Sequence, residues 1–285
     1  MNELRKQMTM IAAVETTNWD AMAAGMAYAL VRVSTMLALA PFFSSRALAA
    51  RTKVTLSLAI CWLLVPTVAF TSASGTAGIQ QISLSFAGLL GEVAVGALYG
   101  LTLNLFNEML LLAGQIVGIQ FSFSLVNLLD PASEIQTPLM GDLFQLLGTL
   151  VVITAGLDRI LLASLVRSFH AVPPGSFPLN GISGAAKALV PLLSGSFFAA
   201  LELAAPVLAA TVLVEISIAL MGKLSPQLPV ISLTIPLKTL TGFALLIGSL
   251  ALWPRFIEAR FTSLLDVTER LILQGVQVAG GGNGG

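Results

Sequence analysis

From Ile82 to about Leu129 the chain contains neither a proline nor a cluster of charges. Some 40 helical residues here, at 1.5 Å each, reach about 60 Å. That is about twice the hydrocarbon thickness of a bilayer. The segment must be two helices, one kinked helix, or one helix that projects past the bilayer. It carries Glu92, Glu108, Gln115 and Gln120 along the way. It ends at Asp130-Pro131, where the residue before proline is pushed out of helical geometry.

Further apolar runs flank it, making about six hydrophobic segments: Ala21–Phe43, Val54–Phe70, Leu143–Val166, Leu189–Met221 and Val230–Trp253. Asp158-Arg159 interrupts the fourth segment in chain order, and Pro191, Pro206 and Pro236 fall inside the last two. Such prolines predict kinked or broken helices. No run has strand alternation with regular turn signals, and lipid-exposed backbone leaves helices as the spanning form. The chain is 56% hydrophobic and 10% charged, against about 25% charged in soluble domains. The fold expected is all-α and multi-pass, with long, kinked helical hairpins.

Residues 1–20 are polar and mixed in charge, and the first apolar run is about 23 residues long, more than a signal peptide's core. It is expected to be the first membrane helix. Arg46, Arg51 and Lys53 follow it and favour a cytoplasmic loop, but later loops give no clean alternation. Residues 254–274 read as a charged amphipathic helix, and the glycine-rich end as a disordered tail.

Net charge is zero, with 14 basic and 14 acidic residues. No basic stripe exists, so nucleic acid is not an expected partner. The one cysteine, Cys61, lies in an apolar run and has no metal-ligand spacing around it. The one histidine, His170, has no nucleophile or paired carboxylate beside it. No phosphate-binding loop, nucleophile elbow or dinucleotide fingerprint occurs. The chain reads as non-enzymatic, with no cofactor and no metal.

Arg32, Glu92, Glu108, Glu202, Glu215 and Lys238 sit within or beside apolar runs. Charges at membrane depth cost about 2.5–3.5 kcal/mol each on insertion scales. They can line an ion path, pair with one another or with neighbouring subunits, or lie on helices that never meet lipid. An ion path keeps a small-molecule secondary transporter in play. Gly96 and Gly100, and again Gly114 and Gly118, have the four-residue spacing that puts both glycines on one helix face for close packing. Bulky apolar residues crowd Phe121–Leu129 just before the Asp-Pro turn, and an apolar constriction can close a pore by excluding water.

At this stretch the sequence resembles the FliR family of flagellar type III export proteins, over about residues 21–255. Four ordered motifs carry the resemblance. They are Leu30-Val-Arg32-Val with Ala40-Pro41-Phe42, Gly114-Gln115-Ile-Val-Gly118-Ile-Gln120 with Asp130-Pro131 and Pro138, Ser168-Phe169-His170 with Pro173 and Gly175, and Ser225-Pro226-Gln227-Leu with Pro236-Leu-Lys238. The resemblance implies an export-gate subunit of the bacterial inner membrane and flagellar basal body. It would assemble with FliP-like and FliQ-like subunits and with FlhB- and FlhA-like gate proteins, and unfolded flagellar proteins would be its substrates. It implies a FliP-like region over 21–183 and a FliQ-like hairpin with its amphipathic end over 184–274, flanked by the polar segment 1–20 and the tail 275–285. It further implies a channel plug including Phe121, Phe123, Leu125, Leu128, Leu129, Asp130 and Pro131, with a hairpin turn at Pro226 and Gln227. Family members often carry phenylalanine where Leu125 and Leu128 stand, and commonly histidines where Asp158-Arg159 stand. The corresponding subunit of a virulence injectisome is the alternative within the same class.

Overall fold

A computed structural model describes residues 23–40, 50–73, 84–121, 139–178, 181–224 and 230–280. The described residues are helical and contain no strand, as composition and run length lead one to expect. The helices are α1 (Ala23–Leu39), α2 (Ala50–Ala73), α3 (Phe86–Gln120), α4 (Leu139–Thr154), α5 (Leu157–Ala171), α6 (Gly181–Leu224), α7 (Val230–Ser249) and α8 (Trp253–Gly280). One 3₁₀ turn, Leu250–Leu252, joins the last two.

The long proline-free segment forms one helix, α3, of 35 residues, about 52 Å at 1.5 Å per residue. Helix α6, of 44 residues, runs unbroken through Pro191 and Pro206, and α7 through Pro236. The break in the fourth apolar segment falls at Gly156, two residues before Asp158-Arg159. Gly156 has φ +68°, the left-handed geometry that ends helices and that glycine adopts without strain. Asp158 then lies in the first turn of α5, where a carboxylate meets the positive end of the helix dipole. Helix α8 continues to Gly280. Among the described residues three helical spans are long and apolar enough to cross a bilayer, Phe86–Gln120, Leu189–Leu224 and Ser232–Val276, or up to four if α4 and α5 count together.

The chain divides into two discontinuous units. The first comprises residues up to Asn104, Ile160–Val190 and Leu265 onward. Its core is laid down by α1, where Tyr28, Val33, Met36 and Leu37 recur at helical spacing and are buried, as is Ala40 just after it. Gly96 and Gly100 on α3 receive this helix. A Cβ at Gly100 would stand 2.6 Å from the Leu39 Cβ and 2.9 Å from the Met36 carbonyl oxygen, and one at Gly96 would strike the Arg32 carbonyl.

The second unit comprises Leu105–Arg159 and Pro191–Leu264. Phe106, Met109, Leu110, Ala113 and Val117 form the buried stripe of its share of α3. Phe106 meets Phe261 edge-on at 5.1 Å, and Phe144 meets Trp253 at 4.6 Å. Gly114 lies against the Met140 backbone and the Gly141 Cα, and Gly118 lies beside the Met140 side chain, 3.3 Å from where a Cβ would stand. Gly148 similarly makes room for Leu110.

Candidate functional site

Two polar clusters hold most of the in-run charges. In the first unit Arg32 and Glu92 are fully buried, their side chains without solvent exposure. Arg32 Nε donates to Glu92 Oε2 at 2.5 Å, and Nη2 donates to Glu92 Oε1 at 3.0 Å. The pair is a two-pronged guanidinium–carboxylate fork, the strongest geometry open to these groups. Two further donors are engaged: Nη1 donates to Ser168 Oγ at 3.1 Å and Nη2 to the Val172 carbonyl at 3.1 Å. The Gly175 N–H donates to Glu92 Oε1 at 2.8 Å. The Phe169 ring stacks 4.2 Å from the guanidinium carbon, a cation–π contact of the kind favoured when the cation is desolvated.

The Ser168-Phe169 and Gly175 motif therefore encloses the Arg32–Glu92 pair. Gly175 itself has φ +77°, and a Cβ there would stand 2.9 Å from the Tyr28 ring, so both geometry and space require glycine. Tyr28 accepts a hydrogen bond from the Ser85 N–H at 2.8 Å. His170 is exposed.

Beside this cluster the Tyr99 hydroxyl lies 3.1 Å from both the Ser164 carbonyl and Ser164 Oγ. Ser164 Oγ donates to Glu269 at 2.5 Å, and Arg167 donates to the same carboxylate oxygen at 2.8 Å. Thr102 and Thr268 share a 2.6 Å hydrogen bond. Sequence reasoning missed these polar partners. Glu269 lies on a helix that reads as surface-amphipathic, and no spacing rule links it to Ser164, 105 positions away.

In the second unit Lys238, 6% exposed, ion-pairs with Glu215 and donates to Gln120 Oε1 at 3.3 Å. Glu202 ion-pairs with Arg260, both partly exposed. Glu108 is exposed and Gln115 half-buried on α3. Phe121 is buried and its ring lies 4.7 Å from the Phe243 ring. Phe123, Leu125, Leu128, Leu129, Asp130, Pro131, Pro226 and Gln227 lie outside the described residues. No group of three or more histidine, cysteine or acidic side chains that could hold a metal occurs among the described residues.

This geometry is that of charges neutralised inside an apolar helical protein. The comparisons with known proteins point the same way. The family of bacterial export proteins, family 1, matches residues 23–264. The flagellar biosynthetic protein FliR of Escherichia coli K12 is 27% identical over 243 residues, 85% of this chain and 90% of the relative. That of Caulobacter vibrioides is 27% identical over 246 residues, 85% and 94% respectively. That of Bacillus subtilis is 28% identical over 181 residues, 62% and 70%. The match begins at α1 and reaches into α8, taking in both polar clusters. The chain belongs to the bacterial export proteins, family 1, the family of the flagellar FliR proteins.

Proposed function

We propose that the chain is a subunit of the flagellar protein export gate in the bacterial inner membrane. In this reading it assembles with FliP-like and FliQ-like subunits around a conduit for unfolded proteins, in contact with FlhB- and FlhA-like partners at the basal body. One observation carries the reading. Many apolar side chains of α6 and α7 point outward while the enclosed charge on them, Lys238, is already paired. Leu213, Ile216, Leu220, Leu240 and Ile247 are exposed, yet Glu215 and Lys238 engage each other.

Such a surface suits burial against lipid or sister subunits. It does not suit a solitary carrier, whose in-run charges would have to stay available for substrate or ions. Arg32 and Glu92 are likewise engaged with each other, which supports pairing over an ion path. The division into a FliP-like region (21–183) and a FliQ-like hairpin (184–274) belongs to the same proposal, as does an apolar plug over residues 121–129. With no nucleotide-binding motif in the sequence, the driving energy comes from other components.

Affinity purification from native membranes tests the assembly. Co-recovery with FliP- and FliQ-like proteins is the expected outcome. Recovery of a stable, ligand-binding chain on its own would overturn the proposal in favour of a transporter.

A further inference from the structure

The end of α3 is held by one face of α7. Gln120 is the last residue of α3 and Phe121 follows it, its N–H still donating to the Val117 carbonyl at 3.1 Å. Both engage residues one helical turn apart on α7. Gln120 Oε1 accepts from Lys238 Nζ. The Phe121 ring turns its Cε1 edge to Gly242 and packs against Phe243, and a Cβ on Gly242 would strike that edge, 2.9 Å from Cδ1 and Cζ and nearer still to Cε1. Positions 238 and 242 share a helix face.

Two residues on this face are poor choices for an apolar helix. A lysine here must be desolvated, and a polar group at depth is by default functional. A glycine in a helix interior loses backbone entropy and contributes no side chain. Each is compensated only by what it meets: Lys238 by Glu215 and Gln120, Gly242 by the aromatic ring that its missing side chain admits. Phe121, only 3% exposed, is fully engaged there. A side chain so enclosed cannot at the same time stand free in a channel.

We infer that Lys238, Gly242 and Phe243 form a seat that fixes the end of α3, with Phe121 as its anchor and Lys238 as a positioning residue for the plug that begins there. The inference rests on the plug proposed above and gives Phe121 a distinct part in it: it holds the end of α3 from which the plug runs. It also makes the α6–α7 hairpin, through Lys238 and Glu215, the element whose position the plug follows.

The test uses the whole gate expressed with its partner subunits, reading ion leak across the membrane alongside the amount of chain present. Lys238→Met and Gly242→Ala are expected to raise the leak several-fold at unchanged chain level. Lys238→Arg should stay closed. Phe121→Leu, which withdraws the ring atoms the new methyl displaces, should return Gly242→Ala to a closed gate. Should Gly242→Ala fail to accumulate, Phe243→Leu takes its place beside Lys238→Met. If these seat variants stay as tight as the wild type while glycine replacement of residues 125–129 leaks, the seat is wrong and the plug stands. If that replacement does not leak either, the plug reading has failed and the seat falls with it. A loss of chain that accounts for every change would make Lys238 structural only, and would also overturn the inference.

Discussion

The Arg32–Glu92 cluster of the first unit and the α6–α7 hairpin of the second place charge in apolar surroundings in opposite ways. The first is closed. Every nitrogen of the guanidinium has a partner within the chain, and the side chains have no exposure. The second is half open. Lys238 is enclosed, but Glu215 is 48% exposed at the side chain and the apolar residues around it face outward. In the most apolar stretch of α3, 56% of residues are buried within the chain, against 28% for Leu189–Leu224 and 17% for Ser232–Val276. The lesson is that one region is finished by the chain itself, whereas the other presents a surface that something outside the chain must cover.

The comparison can be broken most decisively at Arg32. Arg32→Met leaves Glu92 buried and unpaired, and removal of one member of a buried pair costs about 3–5 kcal/mol. The expected outcome is collapse of chain levels in the membrane, or a strongly lowered unfolding temperature of the purified gate. Arg32→Met combined with Glu92→Leu should recover most of the loss, since well-packed apolar replacements of buried pairs are often neutral. Failure of the double variant to recover would mean that the hydrogen bonds to Ser168, Val172 and Gly175 matter more than the pair.

A smaller effect is expected at the packing glycines. Gly100→Val drives a side chain into Leu39 and Met36, and overpacking of this kind costs about 1–3 kcal/mol. It should be visible as a lower unfolding temperature without loss of assembly.

The smallest effect on the chain itself belongs to the hairpin surface. Leu213→Asn and Leu240→Asn alter exposed positions, where substitutions usually stay within about 0.5 kcal/mol. Stability should hardly change, while co-purification with partner subunits should drop. If co-purification is unaffected, the outward apolar face is lipid-facing and the contrast between the two regions loses its functional meaning.

Much of this was legible before any coordinates. The apolar run lengths pointed to helices in a membrane. Arg32, Glu92, Glu215 and Lys238 stood out because charges in such runs need an explanation, and the glycine spacing marked the faces on which α1 and α4 lie. The helix break in the fourth apolar segment was not legible, because Asp158-Arg159 marks only an interruption in hydropathy while the left-handed geometry belongs to Gly156. The prolines predicted kinked or broken helices, and α6 and α7 are not broken: both continue through them. A proline removes one hydrogen bond and adds a local clash, which neighbouring structure can absorb.

What the sequence determined alone was local: helix length, apolar faces, and which residues are costly where they stand. These follow from periods of a few residues and from transfer energies, both readable along a string. Tertiary structure decided which costly residue answers which. Arg32 meets Glu92 across 60 positions and Ser168 across 136, while Phe121 meets Gly242 and Phe243 on a helix that begins more than a hundred residues later. Such pairings depend on the rotation and register of packed helices, and no short-range pattern encodes either.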